Sequence, residues 1–131
     1  MSHTVSSQLV AARPIRALII QPDNTYEVRE IQQDIRTWQR IVGGYIEAVT
    51  TDHCNFWCDE DGNYKEQPCN TLATYLWWKI SPEMETQDVL QGTVFVTGLD
   101  DGDQGDSLPV PDEVVELFVR IEQIRNEEED A

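Results

Sequence analysis

The chain has 131 residues, of which 40% are apolar and 26% are charged, and its formal net charge is −16. A chain of this length is expected to fold around one hydrophobic core, so the sequence predicts a single domain. The acidity argues against direct binding to nucleic acid or anionic lipids, because such binding needs Lys or Arg to neutralise phosphates.

The charge is distributed unevenly along the chain. Residues 1–45 carry five Arg against four acidic residues, whereas residues 46–131 carry four basic against 21 acidic residues. No stretch approaches the roughly 20 apolar residues of a membrane helix. The N-terminus also lacks the basic cluster and apolar run of a secretory signal, so we expect a cytoplasmic protein.

The first half of the chain predicts a hairpin followed by a helix. Residues 1–14 are small and polar, and we expect them to form a flexible segment before a single domain over residues 15–125. Strands Arg16–Ile20 and Tyr26–Ile31 flank the turn formers Pro22, Asp23 and Asn24. Apolar residues then recur at helical spacing until the helix is ended by a glycine pair. These residues are Ile31, Ile35, Trp38 and Val42, followed by Gly43 and Gly44.

The middle of the chain predicts a new strand, a second hairpin and a second helix. The strand begins at Tyr45 and runs to Val49. The pair Asp61-Gly62 is a strong turn signal, and it predicts a hairpin between Cys54–Cys58 and Tyr64–Glu66. The helix is expected over Thr71–Ile80, with Asn70 as its N-cap.

The last third predicts a buried strand and a third helix. Thr93–Gly98 is rich in β-forming residues and is expected to lie centrally in the sheet. A solvated acidic loop, residues 99–107, separates it from a helix over Asp112–Arg125. Residues 126–131 are expected to form a disordered acidic tail, because their carboxylates oppose the helix dipole. The order ββαββαβα predicts an α+β fold, a mainly antiparallel sheet of about five strands with three helices.

Three cysteines and one histidine raise the question of a metal or catalytic site. His53, Cys54, Cys58 and Cys69 could supply the four ligands of a structural zinc ion, but the spacing of Cys54 and Cys58 does not match a zinc knuckle. His53 is adjacent to Cys54 on a predicted strand, so the two side chains point to opposite faces. We therefore expect reduced thiols, no metal, no cofactor and no catalytic residue.

The acidic loop offers carboxylates for a second kind of site. Asp100, Asp101, Asp103 and Asp106 could bind a hard cation weakly, but their order departs from that of an EF-hand. A solvated loop is the simpler interpretation. The same four residues are the candidate acidic surface if the charge itself is functional.

Exposed aromatic residues indicate a candidate partner surface on the second helix. Interface cores favour aromatic residues and Arg, and they are depleted in carboxylates. Tyr75, Trp78 and Lys79 lie outside the apolar stripe of that helix, whereas the spacing of Trp77 places it in the core. We call Tyr75, Trp78 and Lys79 the aromatic patch.

Several short motifs together resemble a family of uncharacterised domains from bacteriophages and bacterial mobile elements, catalogued as a domain of unknown function. They are the opening hairpin RALIIQPDNTYEVREI, the segment VGGYIEAV, and DEDGNYKEQPCNTLAT with Asn70, Ala73 and Thr74. The resemblance covers Arg16 to Val96. It implies an α+β fold and a phage or mobile-element origin, hence a bacterial host cytoplasm, and it carries over no catalytic residue.

Three functions remain open at this point. The first is a non-enzymatic accessory protein that binds a host or phage protein. The second is a DNA mimic, whose carboxylates occupy the nucleic-acid site of a host defence protein. The third is an enzyme of unrecognised type.

Overall fold

The computed structural model of the chain describes residues 13–62, 64–102 and 106–130, so the expectation for residues 1–12 lies outside it. Strands and α-helices follow in the order ββαββαβα, which confirms the predicted α+β class. In chain order they are β1 Ile15–Ile20, β2 Tyr26–Ile31, α1 Ile35–Val42, β3 Ile46–Thr50, β4 Asn55–Asp59, α2 Thr71–Ile80, β5 Val94–Thr97 and α3 Asp112–Asp130. A single 3₁₀ turn, Pro82–Met84, follows α2.

The strands form one antiparallel sheet in the order β2-β1-β5-β4-β3. The prediction that the strand near residues 93–98 is central is therefore confirmed. Phe95 of β5 pairs with Ile19 of β1 on one side and with Trp57 of β4 on the other. Both hairpins, β1–β2 and β3–β4, are thus joined through β5.

The sheet is covered on both faces. On one face, Leu18, Phe56 and Val96 pack with buried residues of α2 and α3, including Leu76 and Phe118. On the other face, residues of β1 and Phe95 of β5 pack with Trp38 and Val42 of α1. Alternate residues of each strand point to opposite faces, which explains why β1 and β5 are apolar at all positions except Arg16 and Thr97. Among the described residues, no helix has the length and apolar composition to cross a membrane.

The second hairpin differs from the one predicted. Its strands are β3 and β4, and the predicted strand Tyr64–Glu66 is a series of turns. The β3–β4 turn is closed because the Thr51 amide donates to the Cys54 carbonyl at 2.9 Å. The Thr51 hydroxyl also accepts the amides of His53 and Cys54 at 3.1 Å. This hydroxyl-stabilised turn contains neither Gly nor Pro, which are the usual sequence signals of a turn. The prediction therefore followed the stronger signal at Asp61-Gly62 and placed the hairpin turn there.

The third helix is longer than predicted, because it runs to Asp130 and not to about Arg125. Residues 126–130, where the sequence suggested a disordered tail, are helical. Arg125 forms an ion pair with Glu129 at 2.6 Å, one turn further along. Pairs at this spacing support a helix, and this one offsets part of the unfavourable interaction with the helix dipole.

A buried asparagine ties three segments of the fold together. The Asn70 side chain is fully buried and accepts the Ala73 amide at 3.1 Å, which confirms it as the N-cap of α2. Its amide nitrogen donates to the carbonyls of Ile20, at the end of β1, and Gly92, just before β5, at 2.9 and 2.8 Å. One side chain therefore fixes the start of α2 against two neighbouring strands.

We predict that Asn70→Ala lowers the free energy of unfolding by about 3 kcal/mol, since it leaves buried backbone groups without partners. The measurement is urea unfolding at neutral pH. Asn126→Ala removes an exposed amide of the same chemistry and should change the free energy by less than about 0.5 kcal/mol. Equal, small effects of the two substitutions would contradict this role for Asn70.

Candidate functional site

The three cysteines differ in burial. Cys54 and Cys58 are buried in the core beside α2 and α3, and Cys69 is exposed. Burial raises the pKa of Cys54, and burial together with the carboxylates of Glu47, Asp59 and Asp88 raises the pKa of Cys58 to about 11. Both buried thiols are thus protonated at neutral pH, a form that is a poor nucleophile. Within the described part of the chain, no group of three or more His, Cys, Asp or Glu could hold a metal ion.

A buried carboxylate organises the loop after β4. The Asp59 side chain is fully buried. Its carboxylate accepts hydrogen bonds from the Lys65 ammonium at 2.7 Å, the Asp61 backbone amide at 2.9 Å and the Gln67 side-chain amide at 3.1 Å. Burial alone raises the pKa of Asp59, but these donors outweigh burial and hold the pKa below its ordinary value of 3.8. The sequence analysis placed Asp59 in the turn after Cys54–Cys58 and did not predict its burial.

The glycine pair after α1 has two separate roles. Gly43 has a positive φ of 82° and donates its amide to the Gln39 carbonyl, which confirms it as the helix end. Gly44 lies against the buried carboxylate, and a Cβ at Gly44 would stand 2.6 Å from an oxygen of Asp59. The motif therefore joins the end of α1 to the loop after β4, a structural role and not a chemical one.

Backbone hydrogen bonds join the two ends of the acidic loop. Asp101 donates its amide to the Asp106 carbonyl at 3.0 Å, and Gly98 and Leu108 are also joined by a backbone hydrogen bond. Asp100 and Asp101 are exposed, and Asp106 is half-buried. Asp103 lies outside the described residues, so the structure gives the position of three of the four predicted carboxylates.

The three residues of the aromatic patch differ in their exposure. Tyr75 and Lys79 are exposed on α2. Trp78 is half-buried, packs against the core, and donates its indole N–H to the Asp88 carbonyl at 2.9 Å. Its ring centroid is 5.9 Å from that of Tyr75. Trp77 is buried in the core, as its spacing predicted.

Tyr75 and Lys79 line a groove between α2 and α3, which we call the α2–α3 groove. Its volume is about 340 Å³. Its other lining residues are Thr71, Ile121, Ile124, Arg125 and Glu128. Ile124 is 49% exposed although it belongs to the apolar repeat of α3, so the groove presents an uncovered apolar side chain. The helical spacing of Val114, Leu117, Phe118, Ile121 and Ile124 predicted the helix, but it did not predict which of them stays exposed.

The composition of the α2–α3 groove suits binding to another protein. Its lining combines the apolar Ile121 and Ile124 and the aromatic Tyr75 with charged side chains of both signs. Protein interfaces commonly combine apolar and aromatic residues with polar ones in this way.

Comparison with known proteins identifies a family for this chain but no function. The sequence profile of the domain of unknown function DUF3846 matches residues 15–123. Searches of curated proteins and of solved structures gave no match. The matched range extends the resemblance beyond Val96 through the acidic loop and into α3.

We predict that Asp59→Asn destabilises the protein most at neutral pH. The folded pKa of Asp59 is below 3.8, so the stability contributed by its charge is present above that pH and is lost as pH falls through the folded value. The difference in unfolding free energy between wild type and Asp59→Asn should therefore shrink below pH 3.8.

The measurement is urea unfolding of both proteins from neutral pH down to about pH 3. Glu60→Gln, which changes the exposed neighbouring carboxylate, should give a pH profile close to that of the wild type. A difference between wild type and Asp59→Asn that stays constant with pH would contradict the ionised state of Asp59.

Proposed function

The chain belongs to this family of domains of unknown function, and we propose that it is a non-enzymatic accessory protein of a phage or mobile element, acting in the bacterial cytoplasm by binding a host or phage protein. The observation that supports this proposal is the α2–α3 groove. Ile124 is half-exposed there beside Tyr75, at the junction of two helices that are otherwise packed on the sheet.

The groove suggests the form of the bound segment. Two helices that border an apolar depression are a frequent site for an amphipathic helix of a partner, which inserts apolar side chains between them. Ile121 and Ile124 repeat at helical spacing along one wall, and Tyr75 and Lys79 repeat along the other. A partner helix with an apolar stripe and charges of both signs at its edges would match this groove.

The first test measures binding through the groove. Immobilised protein is incubated with lysate of phage-infected bacteria, and the bound proteins are identified by mass spectrometry. We predict that the wild type retains one protein in stoichiometric amount. Ile124→Ser should reduce the retained amount of that protein at least about tenfold, because loss of a central interface residue commonly costs more than about 1 kcal/mol of binding free energy.

Leu108→Ser is the matched control for this test. Leu108 is 46% exposed, close to the 49% of Ile124, and it does not line the groove. Its substitution should leave the retained protein unchanged. Equal retention by Ile124→Ser and the wild type would remove the groove from consideration.

DNA mimicry is a second candidate, and the length of α3 favours it. The helix carries eight carboxylates and two Arg over 19 residues, a span of about 28 Å. Because residues 126–130 are helical, Glu127, Glu128 and Glu129 hold defined positions that point in different directions around the helix axis, and Glu129 is paired with Arg125. Ordered rows of negative charge are what imitation of a phosphate backbone requires.

We predict that, if mimicry operates, duplex DNA competes with this protein for the retained partner. Binding should weaken steeply as salt rises, because counterions are exchanged. Changing Glu127, Glu128 and Glu129 to Gln should lower the affinity by at least about tenfold at low salt. Binding that is indifferent to duplex DNA and to salt would exclude mimicry.

A further inference from the structure

A second concave surface lies on the opposite side of the sheet, beside α1. Its volume is about 170 Å³, and we call it the tryptophan cleft. Its lining residues are Gln33, Asp34, Ile35, Trp38, Ile46, Trp57 and Asp106. They come from four parts of the chain: the start of α1, β3, β4 and the acidic loop. Only the fold brings them together.

Two indole rings form the aromatic part of this cleft. The ring centroids of Trp38 and Trp57 are 4.7 Å apart, and Phe95 packs against both rings from the core. The Trp38 N–H donates to the Gln32 carbonyl at 2.7 Å, and the Trp57 N–H donates to the Thr97 hydroxyl at 2.9 Å. Both rings are thus fixed with their N–H groups satisfied. Trp38 is only 8% exposed, so the half-buried Trp57 is the ring that can offer a ligand part of its electron-rich π surface, which attracts cations.

The polar part of the cleft is negatively charged. Asp34 accepts the amide and the hydroxyl of Thr37, both at 2.8 Å. These hydrogen bonds, with a smaller contribution from Arg40, hold the pKa of Asp34 below 3.8, so its carboxylate is ionised at neutral pH. Asp106 adds a second carboxylate, and none of the described residues that line the cleft is Lys or Arg.

The apolar part of the cleft includes an uncovered side chain. Ile35 follows the apolar repeat of α1 and is nevertheless 53% exposed at the cleft. Ser107, next to Asp106, donates its amide to the Gln33 side chain at 2.8 Å, which ties the acidic loop to the start of α1 beside the cleft. The cleft therefore presents an exposed apolar side chain next to its carboxylates.

We propose that the tryptophan cleft binds an arginine side chain of a partner protein. A guanidinium group stacks on indole rings and pairs with carboxylates, and its alkyl stem packs on apolar residues such as Ile35 and Ile46. The cleft is smaller than the roughly 300–1,000 Å³ of typical small-molecule sites, and so it suits one side chain better than a cofactor. This inference rests on the proposed function as a protein-binding module, and it adds a surface separate from the α2–α3 groove.

The test uses the full chain labelled with ¹⁵N and the peptide acetyl-Gly-Arg-Gly-amide. We expect the indole N–H signals of Trp38 and Trp57 to shift in a saturable way, with a Kd on the order of 1 mM for an isolated side chain. The indole signals of Trp77 and Trp78, outside the cleft, should not move. The control peptide carries citrulline, a neutral isostere of arginine, at matched ionic strength.

Two substitutions test the role of the carboxylates. Asp34→Asn removes the charge and keeps an N-cap residue, since Asn caps helices as well as Asp. Combined with Asp106→Asn, it should raise the Kd for the arginine peptide by about tenfold or more. A far-UV circular dichroism spectrum equal to that of the wild type would show that this double variant is folded.

Several results would overturn the assignment. They are the absence of shifts, equal shifts with the citrulline peptide, and an affinity unchanged in the folded double variant. None of them bears on the α2–α3 groove, which is tested by Ile124→Ser in the capture experiment. Failure of this inference is therefore distinguishable from failure of the proposed function.

Discussion

The pairing of β5 with both β1 and β4 is the interaction on which the rest of the fold depends. The hairpins β1–β2 and β3–β4 are each formed by neighbours in sequence, whereas β5 comes from beyond α2 and joins them. Its four residues are buried, with Phe95 in one core layer and Val94 and Val96 in the other. Helices can therefore cover both faces of the sheet, because β5 supplies apolar side chains to each.

Two buried polar side chains hold irregular segments close to this sheet. Asn70 bridges the end of β1 and the approach to β5 while it caps α2. Asp59 gathers the loop after β4 around its carboxylate and lies against Gly44. Buried groups of this kind are favourable only when all their hydrogen bonds are made, and both have several donors or acceptors in place. They explain why loops with little apolar content keep a defined path.

The two proposed binding surfaces lie on opposite faces of the sheet. The lining of the α2–α3 groove combines apolar side chains with charges of both signs, and the tryptophan cleft is aromatic and acidic. The sequence indicated Tyr75 and Lys79 as surface residues, because they fall outside an apolar stripe. It could not indicate that Trp78 packs on the core while Ile124 does not. The distinction depends on how α3 lies beside α2, and helical periodicity specifies only which face of one helix is apolar.

The sequence by itself determined the elements whose signals are local. The turn at Pro22–Asn24, the Asn70 cap and the Gly43 helix end depend on φ preferences and hydrogen bonds within a few residues. The tertiary structure decided which strand pairs with β4, because Thr51 closes a turn that carries no Gly or Pro signal. It also decided the burial of Asp59 and the meeting of Trp38 with Trp57, since these depend on contacts between residues far apart in the chain.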